Sequence, residues 1–239
     1  MSEPSASPSL NWERDAAHRF AERLLDRDRL FPCVFGVDAL RRGSLRFTFV
    51  PRDSGVSYLA EALREYVPLA PDLGKRTSLV AFFEPDDDDP RTLAGQQRHF
   101  WQVLQDLHDT DPEPWPDEIP TDPANPSWEF CFLGMPMFVV ANTSAHRRRA
   151  SRFFEYFTIT FQPRFVFDDL AADQPQGRNA RKIIRERLRA YDAVPPTPLL
   201  GSFGKPGNQE WTQYYLDDDN RSSPAQDRCP FVLREKGTK

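Results

Sequence analysis

Three residue types are scarce in this 239-residue chain, which has 11 glycines, 4 histidines and 3 cysteines. Each scarcity excludes something. Cys33, Cys131 and Cys229 are odd in number and far apart, with neither C-x-x-C nor a Cys/His zinc spacing. A disulfide framework and a structural zinc site are therefore excluded, and reduced thiols in a cytoplasmic protein are expected. There is no G-x-G-x-x-G, no P-loop, no G-x-S-x-G and no H-E-x-x-H, so the common nucleotide, hydrolase and zinc-protease signatures are missing. No apolar run approaches the ~18 residues of a membrane span. A basic surplus is also lacking: 31 Lys and Arg stand against 36 Asp and Glu, a net charge of −5, which argues against a general nucleic-acid binder. Residues 1–8 are rich in Ser and Pro without a basic flank or apolar centre, and read as part of a disordered tail over residues 1–10 and not as a signal peptide.

What the chain has in quantity is proline, 23 residues, and phenylalanine, 19 residues. The prolines predict long ordered loops, and the phenylalanines a core or pocket walled by flat rings. Apolar residues at helical spacing predict helices over residues 11–28, 55–68, 93–108 and 176–191. Alternation or short apolar runs predict strands over 33–37, 45–50, 78–83, 128–133, 137–141 and 157–162. Gly134 and Pro136 predict the turn of a hairpin, and six prolines make 112–126 irregular, with Trp115 able to pack. Asn142, Thr143 and Ser144 are good N-caps and predict a short helix over 145–154. The order does not alternate regularly enough for a doubly wound sheet. It predicts an α+β fold, one domain over 11–222, with a mixed or antiparallel sheet flanked by helices and a tail over 223–239.

Among the histidines, His146 carries the most chemistry. In the first turn of a capped helix, its imidazole would stay neutral, as a metal ligand must. Arg147, Arg148, Arg149 and Arg152 follow it. A neutral imidazole beside guanidiniums suits a ligand that joins a metal to carboxylates or phosphates, as haem does; a solvated basic helix face is the plain alternative. His108 lies on the apolar face of its helix and is either a second ligand or a core histidine.

Phe31-Pro32-Cys33-Val34-Phe35-Gly36, Trp128-Glu129-Phe130-Cys131-Phe132, Val140-Ala141-Asn142-Thr143 running into His146-Arg147-Arg148, Thr160-Phe161-Gln162-Pro163-Arg164, and Asn208-Gln209-Glu210-Trp211 stand in this order along the chain. Together they resemble the YqcI/YcgG family. The resemblance implies haem b as cofactor and N-hydroxylation of a guanidine of arginine or an arginine-derived small molecule. The alternative is a haem carrier without turnover. An electron-donor protein is implied if dioxygen is the oxidant; peroxide would need none. His146 is the first candidate for the iron, His108 the second, and Cys33 and Cys131 the thiolate alternatives. A guanidinium substrate needs a carboxylate fork, for which Glu129 and Asp168 are the candidates. Arg148 and Arg164 would serve propionates or a substrate carboxylate. Asp217, Asp218 and Asp219 form either a lid or, more simply, a solvated acidic turn.

Overall fold

The computed structural model describes residues 9–86, 92–170, 174–221 and 228–234. Its centre is a five-stranded mixed sheet in the order β1-β2-β5-β4-β3. Strands are β1 (Leu45–Val50), β2 (Ser78–Phe83), β3 (Phe130–Phe132), β4 (Met135–Asn142) and β5 (Thr158–Pro163). β1 and β2 run parallel, joined through helix α3 (Gly55–Leu69), while β2–β5, β5–β4 and β4–β3 are antiparallel. The expected α+β domain with a mixed sheet is what forms. Each of these strands lies where alternation or an apolar run placed it, because period-two burial can be satisfied only by a pleated chain.

The sheet separates two unequal layers. On one face α3 and α4 (Leu93–Thr110) pack through Leu59, Leu63, Phe100 and Leu104 onto Leu79, Ala81, Val139, Ile159 and Phe161, all nearly or fully buried. On the other face α1 (Ser9–Leu25) brings Phe20 and Leu24 against Val80 and Phe82, and Phe20, Phe47, Phe82 and Phe154 meet edge-on or tilted. Helices α2 (Val34–Arg41) and α5 (Pro175–Tyr191) complete this second layer. The proline-rich segment 112–126 is ordered as expected: Trp115 stacks on Trp128 at 6.1 Å and its indole N–H donates to the Ile119 carbonyl.

Three local expectations are corrected. Residues 33–37 are not a strand. Cys33 is the N-cap of α2, its sulfur accepting the Gly36 N–H at 3.4 Å. A short apolar run does not distinguish strand from buried helix, and here the cap decides. The hairpin turn is Leu133-Gly134, both at positive φ, and Pro136 already belongs to β4. No α-helix forms over 145–154. The chain makes turns there and a single 3-10 turn, Ala150–Arg152. The backbone N–H groups of Arg147, Arg148 and Arg149 instead converge on the Asp218 carboxylate at 2.6, 3.0 and 2.9 Å. A distant carboxylate thus takes the donors that a helix would have used. Residues 228–234, expected in a tail, pack on α4: Phe231 is buried against His108, Trp115 and Trp128. Residues 1–8 of the expected N-terminal tail lie outside the described residues, and Ser9 already begins α1.

Candidate functional site

The second layer does not fill its side of the sheet. Two adjoining cavity lobes lie between β4–β5, α1, α2, α5 and the segment around Leu200. They offer about 210 and 240 Å³, are partly open to solvent, and share the walls Phe35, Phe138, Phe167, Ile184 and Leu200. Because side chains alternate along a strand, Phe138, Val140 and Asn142 of β4 and Thr160 and Gln162 of β5 point the same way, onto the cavity. The opposite face of these strands is wholly apolar. Mixed polarity on one buried sheet face is the mark of a ligand site, where a few polar groups orient an otherwise apolar guest.

In the larger lobe, Cys33 lies on the wall between Pro32 and Phe35. Its position at the N-terminus of α2 directs backbone N–H groups and the positive helix end at the sulfur, which favours a thiolate. Burial acts the other way and pushes the free thiol up. A bound cation reverses that balance, since a coordinating thiol is deprotonated outright. Arg152 lies on the same wall, nearly buried, donating to the Tyr214 and Gln213 carbonyls at 3.0 and 2.8 Å. Burial, with Arg149 nearby, lowers its pKa to about 10.

The second lobe carries Arg164, Glu210 and Gln213. Arg164 donates to Glu129 Oε1 at 3.0 Å, and its guanidinium lies 3.2 Å from the centroid of the Phe203 ring. Glu129 is fully buried, and among the described residues its Oε2 has no hydrogen-bond partner. Burial outweighs the pull of Arg164 and pushes the Glu129 carboxyl up to about 8. Glu210 is buried as well, held by Asn208 Nδ2 at 2.7 Å, and burial raises it too. Arg181 and Arg185 of α5 line the same lobe and are more exposed.

The structure thus gathers Cys33, Arg164 and Glu129 on or just behind one cavity and sets the other candidates apart. His146 is 1 % exposed and lines none of the five described cavities. Its Nε2 donates to the Leu216 carbonyl at 2.7 Å, and its Nδ1 meets Thr143 Oγ1 at 3.3 Å. The neutral imidazole that was expected is present, but burial and not a helix end lowers its pKa. His108 lies on α4, on the other side of the sheet, with Nε2 accepting the Arg234 N–H. Cys131 is buried in β3, and burial raises its thiol. Asp168 and Arg148 are exposed and line none of these cavities. The acidic run is neither lid nor solvated turn: Asp218 takes the three N–H groups above, and the Asp217 carbonyl accepts Arg149 Nε at 2.7 Å. Glu210, Gln213, Phe203, Arg181 and Arg185 escaped the sequence reading. The available signal was Glu210 between Asn208 and Trp211, a charged residue set among aromatic anchors in an otherwise irregular stretch.

Fold and cavities describe an α+β protein in which a thiol lines one aromatic-walled lobe and a carboxyl–guanidinium cluster lies at the adjoining one. The family follows from comparison: the YqcI/YcgG family profile matches residues 20–232, and the chain belongs to that family. It is 42 % identical over 227 residues to "Uncharacterized protein YqcI" of Bacillus subtilis (strain 168), covering 92 % of this chain and 88 % of that one. It is 38 % identical over 243 residues to "Putative N(omega)-hydroxy-L-arginine synthase DcsA" of Streptomyces lavendulae, covering 98 % and 89 %. No solved structure gives a significant match. No described helix is long and apolar enough to cross a membrane.

Proposed function

We propose that this protein N-hydroxylates a guanidine group of arginine or an arginine-derived small molecule, using haem b held in the two-lobed cavity. One observation carries the reading: an aromatic-walled cavity has a helix-capping thiol, Cys33, in one lobe and a buried carboxylate–guanidinium cluster in the other. The name of the Streptomyces relative supports the reaction.

The residues fit the cofactor. Phe35, Phe138 and Phe167 offer flat apolar walls where the two lobes meet. Cys33 is the donor for the iron in this reading, in place of His146, because it faces open space while both His146 nitrogens are engaged inside the protein. Arg152 would meet a propionate. Haem would supply the oxygen chemistry that no side chain here can provide.

The chain's own part is binding, orientation and proton control. The phenylalanine walls exclude water, which strengthens charge pairing inside the cavity. Glu129, with a carboxyl pushed up to about 8, is able to hold a proton at neutral pH behind Arg164. An electron-donor protein belongs to the reading if dioxygen is the oxidant.

The test is an absorption spectrum of protein expressed with a haem precursor, repeated for Cys33→Ser and His146→Ala. A Soret band is expected in the unaltered protein, with the ligand signature changed by Cys33→Ser and kept by His146→Ala. Incubation with arginine and oxidant should then add one oxygen atom by mass. A colourless protein, or no oxygen added to any of several guanidines with both dioxygen and peroxide tried, overturns the reading.

A further inference from the structure

The second lobe sets two buried carboxyls, Glu129 and Glu210, near one guanidinium, that of Arg164, which donates to Glu129. Glu129 has Oε2 unpaired. Glu210, 7 % exposed and on the cavity wall, accepts Asn208 Nδ2 through Oε2, and among the described residues its Oε1 accepts no hydrogen bond. Asn208 is itself fixed, its Oδ1 accepting Gln213 Nε2 at 3.1 Å. A carboxyl oxygen on a cavity wall with its other oxygen already held is placed to accept from the N–H groups of a guest.

The lobe also shows which shape of cation it suits. The Arg164 guanidinium lies over the Phe203 ring, with the Phe167 ring at 5.9 Å, so aromatic faces already hold one guanidinium here. A planar, weakly hydrated fork matches a carboxylate in two bonds where an ammonium makes a point contact. Arg181 and Arg185 stand nearer solvent on the same lobe, with Nη atoms tied to the Leu170 and Leu200 carbonyls at 3.0 and 2.7 Å. The lobe therefore offers a carboxyl oxygen at its buried end and guanidiniums at its more exposed end.

We infer that Glu210, backed by Glu129 and Arg164, binds the guanidinium of the substrate, and that Arg181 and Arg185 bind its carboxylate. The lobe would then select a guanidino acid over the amine left by decarboxylation. This inference rests on the proposed function for its substrate class, but its test reads binding alone.

The haem-loaded full chain is titrated calorimetrically with L-arginine, with L-citrulline as the neutral ureido counterpart, and with agmatine, which lacks the carboxylate. Arginine should bind ~30-fold tighter than citrulline, the usual scale for a buried charged hydrogen bond. Glu210→Gln should shrink that gap to within ~3-fold and leave citrulline binding unchanged. Arginine should also bind ~10-fold tighter than agmatine, and Arg181→Gln with Arg185→Gln should erase that preference. Equal binding of arginine and citrulline by the unaltered protein overturns the guanidinium site, even if the Glu210 variant fails to fold. So does a folded Glu210→Gln variant that keeps the full gap. A preference over agmatine that survives the double arginine change overturns the carboxylate half. Mass analysis of the same mixtures separates the two ideas. Arginine held through Glu210 without an oxygenated product removes the activity and leaves the site. Product formed by Glu210→Gln at unchanged KM removes the site and leaves the activity.

Discussion

The clearest pH signature should come from Glu129. Its carboxyl is fully buried, touches one guanidinium and leaves one oxygen unpaired, and burial pushes its pKa up to about 8. In the unfolded chain a glutamate titrates near ~4.3. With the folded value above the unfolded one, the folded state binds the extra proton between them. Stability is then full below the unfolded value and falls as pH rises toward about 8. At ~1.4 kcal/mol per unit, the loss from this group alone between about pH 6 and pH 8 is on the order of 2 kcal/mol. Glu129→Gln keeps the shape and an acceptor for Arg164 and cannot ionise. Urea melts across this window should show the unaltered protein losing stability relative to Glu129→Gln by about that amount, with equal m-values. Taking the difference between the two proteins removes every other titrating group. A difference that stays constant from pH 6 to pH 8 would refute the claim that burial wins over Arg164, and would mean the pair is fully ionised at neutral pH.

Three further outcomes can be checked by the same melts or by arginine calorimetry. Asp218→Ala strips three backbone N–H groups of a charged acceptor and should cost about 2–4 kcal/mol; a loss under ~0.5 kcal/mol would contradict the role given to that carboxylate. His146→Ala leaves the Leu216 carbonyl buried without its donor and should cost about 1–3 kcal/mol, while arginine binding is unchanged; lost binding at unchanged stability would restore His146 to the site. Gly201→Ala places a Cβ in overlap with Asn208 Oδ1, so Asn208 must shift, and with it Glu210 and Gln213. Arginine affinity should fall ~10-fold or more in that variant, and unchanged calorimetry would show that Asn208 does not position Glu210.

Much of the fold was written locally. Leu45, Phe47 and Phe49 alternate with polar neighbours, and Ser78–Phe83 is an unbroken apolar run at the sheet centre, so both strands were legible. What failed was local chemistry answered from far away. Asn142, Thr143 and Ser144 resemble a helix start, yet the donors that a helix would have used turn to Asp218, some 70 residues on. The same failure bears on His146. It looked like a ligand because the first turn of a capped helix would keep its imidazole neutral beside a run of arginines, whereas no helix forms there and the 214–218 segment closes over it through Tyr215 and the Leu216 carbonyl. Cys33 stood behind the histidines as a thiolate alternative because its apolar neighbours resembled a strand, and only the N–H from Gly36 shows that it caps a helix. Glu210 carries no periodic signal, since its surroundings are turns. Its partner Glu129 was legible as a charge beside the apolar Phe130–Phe132 strand.

With the proposed ligand in the cavity, the two faces of the sheet divide stability from binding, and hydrogen exchange should show it. α4 buries nine of its 18 residues, including Phe100, Leu104 and Leu107, against Val139, Ile159 and Phe161. α5 buries three of its 17, Gly177, Leu188 and Tyr191, and its Ile184 faces open cavity. Fewer buried apolar contacts mean cheaper local opening, so α5 amides should exchange well before those of α4 in the ligand-free protein. A ligand that fills the cavity stabilises the state in which α5 is docked by RT ln(1 + [L]/Kd), about 2.7 kcal/mol at 100 times Kd. Saturating ligand should therefore slow α5 exchange ~100-fold while α4, already limited by global unfolding, slows only as far as total stability rises. Exchange in α5 that is as slow as in α4 without ligand, or that ligand leaves unchanged, would mean that the second layer is no softer than the first and that the cavity is not where the ligand binds.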